Sequence, residues 1–184
     1  MSNRFQKGSS VIAAAALVVL EASAALALPQ EGDKAPNVRV EDADGRGLEM
    51  KNLRGKLILI MYEDKGSAHQ NQGLKTELSK LGRGGKYKST IAVAPVADVS
   101  SYDFWPVKGF VKDAIREESK KVGTTIYCDW DGRFRSAYKI REGTSNVILV
   151  GKEGRVLFAA EGALKAPERK RLLDLMKTQV EGGS

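Results

Sequence analysis

Residues 57–72, LILIMYEDKGSAHQNQ, decide the fold of this chain. The segment begins with Leu57–Met61, in which every residue is apolar, and such a run predicts a β-strand that is covered on both faces of a sheet. Leu74, Leu78 and Leu81 then follow at the spacing of one helical stripe. The polar turn between strand and helix lies where a helix N-terminus offers free N–H groups and the positive end of its dipole. We therefore take this turn as the first candidate for a functional site.

The apolar pattern on either side of this segment predicts the remaining elements. Upstream, an alternating segment surrounds Val38 and Val40, Asp42–Gly45 forms a turn, and Leu48–Leu53 returns as a short strand or an extended arm. Downstream of Leu81 come a Gly-rich basic loop, a strand at Ile91–Ala94, a helix with Phe110, Val111, Ala114 and Ile115 on its apolar face, and a strand at Thr124–Cys128. The chain closes with a short helical stretch at Ser136–Tyr138, a hairpin of Asn146–Val150 with Val156–Ala160, and a helix that starts at Pro167 and buries Leu172, Leu173, Leu175 and Met176.

The order of these elements predicts an α/β fold. Strands and helices follow one another as β–α–β–α–β–β–α, and the closing hairpin requires strands of mixed direction. We therefore expect three layers, with a mixed central sheet covered by helices on both faces.

The N-terminus has the pattern of a secretory signal peptide. Arg4 and Lys7 precede the apolar run Val11–Leu20, and small residues follow it, so cleavage is predicted after Ala27 or, as the alternative, after Ala24. The ten residues of this run are fewer than the roughly 20 that a membrane-spanning helix needs, which disfavours an uncleaved anchor.

This pattern predicts both the domain organisation and the location of the protein. Residues 1–27 form the signal and residues 28–184 form one domain. A bacterial signal of the Sec type places the mature protein in the periplasm or outside the cell. No cysteine lies near the predicted cut, so a lipoprotein is not predicted.

The chain is basic, with a formal net charge of +7 that falls to +6 when two basic residues and one acidic residue leave with the signal. In an exported protein such a charge suits anionic lipid head groups or acidic glycans, although solvated helix faces and a flexible basic loop account for it as well. No nucleic-acid recognition motif accompanies the charge. We predict an envelope protein or an anionic surface as the partner, no nucleic acid, and no stable membrane insertion after signal cleavage.

Cys128 is the single cysteine, so the chain has no intrachain disulfide. It ends a predicted strand, and the carboxylates of Asp129 and Asp131 follow it. Because neighbouring carboxylates raise the pKa of a thiol, we predict a buried and unreactive cysteine. A disulfide with another chain stays open as the alternative.

Three segments carry a resemblance to a known superfamily: GDKAP…DADGRGLEMKNLRGKLILIMY, YCDWDGRFRSAYKI and SNVILVGKEGRVLFAAEGAL. They resemble the thioredoxin-like superfamily, above all its exported thiol–disulfide oxidoreductases and its peroxiredoxins of the AhpC/TSA type. The resemblance covers nearly all of residues 31–180 and implies a thioredoxin-like three-layer fold.

The residues that carry thiol chemistry in that superfamily are absent here. Its oxidoreductases hold a Cys-x-x-Cys pair in the turn after the central strand, where the helix N-terminus acidifies the first thiol. The resemblance places Gly66 and His69 at the two cysteine positions. It also places Thr144-Ser145-Asn146 where the superfamily has a cis-proline before the next-to-last strand.

This combined loss is similar to a smaller group of the superfamily, the periplasmic YtfJ-like proteins of bacteria. That group has a signal peptide, a Ser-Ala pair in the turn, a serine-rich segment in place of the cis-proline, and a DGAL or EGAL sequence before the last helix. The corresponding residues here are Ser67-Ala68, Thr144-Ser145 and Glu161-Gly162-Ala163-Leu164. The resemblance implies a degenerate active-site turn, formed by Gly66, Ser67, His69, Thr144 and Ser145, as a candidate binding site.

The single histidine and its neighbouring serine favour structural roles. His69 is predicted to face solvent at the start of the helix, and no set of further ligands for a metal accompanies it. Ser67 is predicted to cap that helix. A Ser67–His69 nucleophile is disfavoured because residues two apart on a helix diverge by roughly 200°. We predict no catalytic residue, no metal and no cofactor.

Two further patterns resemble functional motifs but favour structural roles. Asp42-x-Asp44-Gly45 and Asp129-x-Asp131-Gly132 begin like calcium loops, yet neither continues to the acidic residue that such a loop needs, so both predict turns. Tyr102, Phe104 and Trp105 are predicted to fix their long loop to the core, with a ligand or peptide groove beside the turn as the alternative.

The first hypothesis is therefore an exported protein on a thioredoxin-like scaffold that acts by binding in the cell envelope, without enzymatic activity. A divergent thiol oxidoreductase or peroxidase that uses Cys128 with a partner's thiol is the alternative. A hydrolase or metal site built on His69 is the third hypothesis.

Overall fold

A computed structural model describes residues 27–83 and 85–182 of the chain. Apart from Ala27, the predicted signal peptide lies outside these residues. Within the described ranges, no helix has the length and apolar character needed to cross a membrane.

The described residues form seven strands and five α-helices. In chain order they are β1 (Arg39–Asp42), β2 (Gly47–Glu49), β3 (Leu57–Glu63), α1 (Gln72–Leu81), α2 (Gly85–Thr90), β4 (Ile91–Asp98), α3 (Val107–Val122), β5 (Tyr127–Asp129), α4 (Arg133–Ala137), β6 (Asn146–Val150), β7 (Val156–Glu161) and α5 (Ala166–Glu181). Short 3-10 turns cover Met50–Leu53 and Ser100–Tyr102.

The strands form one mixed sheet in the order β2-β1-β5-β4-β3-β6-β7. Strands β3, β4 and β5 are parallel, whereas β6 is antiparallel to β3 and β7 is antiparallel to β6. Every residue of Leu57–Tyr62 is buried, because β3 has neighbours on both edges and cover on both faces. The predicted α/β fold with a central apolar strand is confirmed.

The first core lies on the α4 face of the sheet and contains Ile58, Ile60 and Tyr62 of β3. Here Phe134 stacks between two tyrosines, with its ring centroid 5.4 Å from that of Tyr62 and 4.4 Å from that of Tyr138. The Tyr138 hydroxyl donates a hydrogen bond of 3.0 Å to the carbonyl oxygen of Pro36. This aromatic stack fixes α4 and the N-terminal segment to the sheet.

The second core lies on the opposite face, where Leu57, Leu59 and Met61 point because side chains alternate along a strand. Helices α1 and α5 cover it. Leu74 comes from α1, and the buried residues of α5 are Leu172, Met176 and Val180, at the i, i+4, i+8 spacing of one stripe. Leu173 and Leu175, which were predicted to be buried, are only partly covered at the margin of this core.

Several predicted boundaries differ from the structure: β4 continues beyond Ala94 to Asp98, and α4 is Arg133–Ala137 rather than Ser136–Tyr138. Three further differences have identifiable reasons. The second half of Leu48–Leu53 is a 3-10 turn, because Met50 is drawn into the first core and its N–H donates to the carbonyl oxygen of Val38. The basic loop contains the helix α2, whose Tyr87 packs against the second core. Strand β5 is limited to Tyr127–Asp129, where it pairs with β1 and β4.

Helix α3 differs from its predicted pattern and has no buried residue. Phe110, predicted on the apolar face, is 69% exposed, and Ala114 is also exposed. The partly buried stripe is instead Val107, Val111 and Ile115. The helix therefore touches the sheet along a narrow line.

Replacing Phe134 by alanine is expected to destabilise the protein by about 3–5 kcal/mol, because it removes the ring that stacks between the two tyrosines of the first core. The matched control is Phe110→Ala, which removes the same side chain from an exposed position and is expected to change the free energy of unfolding by less than about 0.5 kcal/mol. Urea denaturation followed by circular dichroism measures both. Equal losses in the two variants would contradict this description of the core.

Candidate functional site

The turn after β3 and the segment before β6 lie side by side at the carboxyl end of the central strand. This follows from the strand pairing, in which Tyr62 is opposite Asn146. The Ser145 N–H donates a hydrogen bond of 3.0 Å to Oε1 of Gln70, which joins the two segments directly. The residues that the sequence analysis assigned to one site are thus brought to one end of the sheet.

Ser67 closes the turn instead of capping α1. Its Oγ accepts a hydrogen bond of 3.0 Å from the N–H of Asp64, and its own N–H donates one of 2.7 Å to Oδ1 of Asp64. Helix α1 begins at Gln72, with Asn71 as the residue before it. The predicted capping role of Ser67 is wrong because one turn of irregular chain, held by this reciprocal pair, precedes the helix.

Asn71 ties three segments together at the start of α1. Its Nδ2 donates to Oγ of Ser145 at 2.8 Å and to the carbonyl oxygen of Gly162 at 2.9 Å. Its Oδ1 accepts a hydrogen bond of 2.9 Å from the N–H of Leu164. The amide side chain is buried, and it satisfies backbone groups of the segment Glu161–Leu164 that leads into α5.

Glu63 continues this network on the other side of Ser145. The Ser145 hydroxyl donates to Oε1 of Glu63 at 2.9 Å, and Nζ of Lys75 donates to Oε2 of Glu63 at 2.6 Å. Nζ of Lys75 also donates to the carbonyl oxygen of Ala68 at 2.7 Å. An unbroken polar chain therefore runs from Lys75 through Glu63 and Ser145 to Asn71.

This network sets what the site can do chemically. The Ser145 hydroxyl is buried, donates a hydrogen bond to the Glu63 carboxylate and accepts one from the Asn71 amide. It is therefore fixed in the network and not presented to solvent. Gly66 and His69 are exposed, while Ser67 is buried, so no Ser67–His69 pair forms. Among the described residues, no group of three or more His, Cys, Asp or Glu side chains could hold a metal ion. The turn thus provides fixed hydrogen bonds and carries no thiol.

A second polar cluster lies at the same end of the sheet, centred on Asp129. Its Oδ2 accepts hydrogen bonds from the Tyr62 hydroxyl at 2.9 Å and the Arg135 N–H at 3.0 Å, and its Oδ1 accepts one from the Phe134 N–H at 3.2 Å. Burial raises the pKa of Asp129, which these hydrogen bonds oppose. Burial, followed by the charge of Asp129, raises the pKa of Tyr62. The cluster holds the N-terminus of α4 against the sheet.

The two Asp-x-Asp-Gly segments form turns. In the first, Oδ1 of Asp42 accepts hydrogen bonds from the N–H groups of Asp44 and Arg46, both at 2.9 Å, and Oδ2 accepts from Nε of Arg46 at 2.8 Å. In the second, Oδ1 of Asp131 accepts from the N–H of Arg133 at 3.1 Å. The prediction that both are turns is confirmed.

Cys128 lies in β5, two strands away from β3, which is about 10 Å at the usual strand spacing. The thiol is buried. Burial, followed by the negative charge of Asp42, raises its pKa to about 11. The predicted direction is confirmed, although Asp129 and Asp131 are not the carboxylates responsible.

The loop between β4 and α3 exposes its aromatic side chains, so the prediction that they fix the loop to the core is wrong. Trp105 is 91% exposed, Phe104 is 56% exposed and Tyr102 is 37% exposed. The loop starts where β4 ends, and Ala97 of β4 pairs with Glu63 of β3. These aromatic residues therefore lie at the same end of the sheet as the turn.

Sequence reasoning missed Asn71, Glu63 and Lys75, the residues that organise the site. One signal was available: Asn71 and Lys75 are four residues apart and so lie on one face of the helix that follows the turn. The partners of Asn71 lie more than 70 residues further along the chain, and the partner of Lys75 lies in β3. The sequence pattern does not reveal such pairings.

Comparisons with known proteins give the same picture of fold and family. A family model described as a bacterial protein of unknown function, YtfJ_HI0045, matches residues 51–179. No curated protein sequence matches the chain.

Solved structures similar to this one are thioredoxin-like proteins. A candidate thiol:disulfide interchange protein DsbE from Chlorobium tepidum has a TM-score of 0.63 and 17% identity, over 83% of this chain and 99% of that one. A candidate protein disulfide isomerase from Bacteroides thetaiotaomicron has a TM-score of 0.63 and 15% identity, over 84% and 94%. The exposed lipoprotein thioredoxin Etrx1 from Streptococcus pneumoniae has a TM-score of 0.57 and 14% identity, over 77% and 98%. At these identities the likeness establishes the thioredoxin-like fold.

Replacing Asn71 by alanine is expected to destabilise the protein by about 1–3 kcal/mol, because the N–H of Leu164 is left buried without an acceptor. Gln72→Ala, at the exposed neighbouring position, is the control and is expected to change the free energy of unfolding by less than about 0.5 kcal/mol. Urea denaturation measures both values. An unchanged stability of the Asn71 variant would show that the amide is dispensable.

Cys128 is expected to resist thiol reagents in the native protein. With its pKa raised to about 11, the fraction present as thiolate at pH 8 is roughly two hundredfold below that of a free cysteine. Labelling with a chromogenic disulfide reagent, before and after unfolding in urea, measures this difference. The unfolded thiol ionises at the lower pH, so the free energy of unfolding is also expected to fall as pH rises from about 8.5 towards 11. Labelling at the same rate in both states would contradict the burial.

Proposed function

This chain belongs to the bacterial family of unknown function YtfJ_HI0045, and we propose that it is an exported protein that acts by binding in the cell envelope without thiol chemistry. The observation that carries the proposal is the polar network in the active-site turn of a thioredoxin-like fold. Disulfide exchange needs a thiolate at the helix N-terminus, and at the positions that the resemblance assigns to the cysteines this chain has Gly66 and His69. The buried side chains of Asn71 and Ser145 are hydrogen-bonded to each other in the same network.

Export is supported by the sequence before the described residues. Arg4 and Lys7, the apolar run Val11–Leu20 and the small residues up to Ala27 have the composition of a cleavable signal. An exposed lipoprotein is among the structurally similar proteins, so this fold occurs outside the cytoplasm. We infer that the mature protein is periplasmic or secreted.

The binding surface we propose is the carboxyl end of the parallel strands. Ligands of open α/β sheets bind outside this end, because the connecting loops converge there. Here it carries the exposed Gly66 and His69, the segment at Thr144, and the exposed aromatic side chains of Phe104 and Trp105. Exposed aromatic residues are typical of surfaces that contact another protein. The partner we propose is a protein of the cell envelope.

The two alternative activities have less support. A thiol oxidoreductase using Cys128 would need a buried thiol with a raised pKa to attack a partner's disulfide, which is the opposite of the environment that activates a cysteine. A hydrolase would need a base beside a nucleophile, yet Ser67 is buried in its turn and His69 is exposed.

The first experiment measures insulin-disulfide reduction and peroxide reduction by the purified protein and by its Cys128→Ser variant, with a dithiol thioredoxin as the positive control. We expect no activity above background in either protein, since the turn has no thiolate. Activity that persists in Cys128→Ser would overturn the proposal. Activity that disappears in this variant would favour the oxidoreductase instead.

The second experiment tests the binding surface in bacterial cells. A photoreactive amino acid is placed at position 105, and as a control at position 121, an exposed lysine position near the far end of α3. We expect a discrete envelope protein to be crosslinked from position 105, and the crosslink to be lost when Phe104 is replaced by alanine. Crosslinks of equal yield from both positions, or none from position 105, would contradict this surface.

A further inference from the structure

We propose that the amino end of the parallel strands docks onto an anionic phospholipid bilayer, with the proposed partner-binding surface at the opposite end pointing away from the lipid. This inference rests on the proposed location in the cell envelope. It concerns a basic surface that the fold assembles from four separate segments, which we call the basic end. Its members are Lys34, Arg54, Lys56, Lys86, Lys88, Lys152 and Arg155.

The start of β3 and the turn between β6 and β7 form the centre of the basic end. Lys56 directly precedes β3, and because Ile58 pairs with Val150, the turn that follows β6 lies beside it. The N–H of Gly55 donates a hydrogen bond of 3.0 Å to the carbonyl oxygen of Lys152. Lys34 forms an isolated antiparallel bridge with Arg155. Three of the four segments are thereby held next to one another.

Helix α2 extends the basic end along the edge of the sheet. Lys86 and Lys88 lie in this helix, which ends immediately before β4, and the first residue of β4, Ile91, pairs with Leu57 of β3. The two lysines therefore lie beside the position of Lys56. Both are exposed to solvent.

The seven cations of the basic end form no salt bridge with a carboxylate in the described part of the chain. The acidic residues of its segments are Asp33, Glu153 and Glu31, and Glu31 pairs with Arg171 of α5. At the carboxyl end, by contrast, Lys75 pairs with Glu63, Arg135 with Asp98 and Arg141 with Glu161. The molecule thus has one strongly positive end.

The path of the chain points this end towards a membrane. The N–H of Gly32 donates to the carbonyl oxygen of Val156 at 2.8 Å, and the N–H of Ala35 donates to that of Gly154 at 2.9 Å, so the described chain begins next to the basic end. The apolar run Val11–Leu20 precedes it in sequence. The predicted signal segment thus leads into the part of the chain that lies beside the basic end, and this supports lipid as the occupant of that end.

Anionic head groups fit these charges because exposed lysine and arginine residues near a bilayer each add attraction to acidic lipids, and the attraction falls off within a Debye length. Six of the seven side chains are exposed and Lys152 is half-buried. Nη1 of Arg155 donates a hydrogen bond of 2.7 Å to the carbonyl oxygen of Gly32, but no ion pair of the described residues has to break for these cations to reach the head groups. The surface carries no apolar insertion segment, so the expected contact is peripheral and sensitive to salt.

The test uses the full-length chain with vesicles of phosphatidylglycerol and of phosphatidylcholine, in sedimentation at low and high salt. We expect binding to phosphatidylglycerol to be at least about tenfold tighter and to weaken at high salt. The combined variant Lys56→Glu, Lys152→Glu and Arg155→Glu is expected to lose this preference. The N-terminal segment is identical in every protein compared, so differences between variants report on the basic end.

The matched control reverses three exposed charges elsewhere, with Lys65→Glu, Arg133→Glu and Lys165→Glu, and gives the same net charge. It is expected to keep at least half of the preference for phosphatidylglycerol, and circular dichroism verifies that both variants are folded. If the two variants lose the preference for phosphatidylglycerol equally, the preference depends only on net charge and the proposal is overturned. Equal binding of the unchanged protein to both lipids would also overturn it.

Two further outcomes separate this inference from others. A soluble acidic polysaccharide that displaces the protein from phosphatidylglycerol vesicles and loses its own binding in the basic-end variant would assign the surface to acidic glycans and overturn the choice of lipid. If the lipid preference is absent while the crosslink from position 105 persists, this inference fails and the proposed function stands. If the protein prefers phosphatidylglycerol but gives no crosslink from position 105, the lipid-docking inference stands and the proposed partner-binding surface fails.

Discussion

The structure depends on one constraint: strand β3 has no face that can meet water. Its side chains enter the two cores alternately, so helices must cover both faces of the sheet, and neighbouring strands must satisfy both of its edges. Function is left to the two ends of this strand. One end opens into the turn at Asp64, and the other begins at the cationic Lys56. Burying the strand between them therefore separates the turn from the basic end by the length of β3.

Hydrogen bonds organise the turn of this thioredoxin-like fold, which carries no thiol. Those among Asn71, Ser145 and Glu63 connect the end of β3 and the start of α1 with the segment before β6. Asn71 and Ser145 are buried and Glu63 is half-buried, and the hydrogen bonds satisfy their polar groups, as a polar cluster in a low-dielectric site requires. The network therefore holds the start of α1 and the start of β6 at a fixed spacing.

The elements that were predicted correctly from the sequence are those with a regular pattern of apolar residues. Strand β3, the β6–β7 hairpin and α5 follow from runs and stripes of apolar residues, and the resemblance of the motifs to a superfamily placed the turn and the segment at Thr144 at one site. The sequence did not predict the burial of side chains whose cover depends on elements far away in the chain. Trp105 has an apolar side chain but no covering element, and Asn71 is polar but is enclosed by segments far along the chain. Ser67 was assigned to the helix because its residue type suits a cap, whereas the helix begins later.

Helix α3 has a consequence for the dynamics of the protein. It is needed to carry the chain across from β4 to the parallel strand β5, yet it contributes no buried residue to either core. Elements with few buried contacts open with free energies far below that of global unfolding. The aromatic loop that precedes α3 is therefore attached to a segment that can detach and reattach while β3 and both cores remain intact. Adaptation of the loop to the shape of a partner then requires no rearrangement of the sheet.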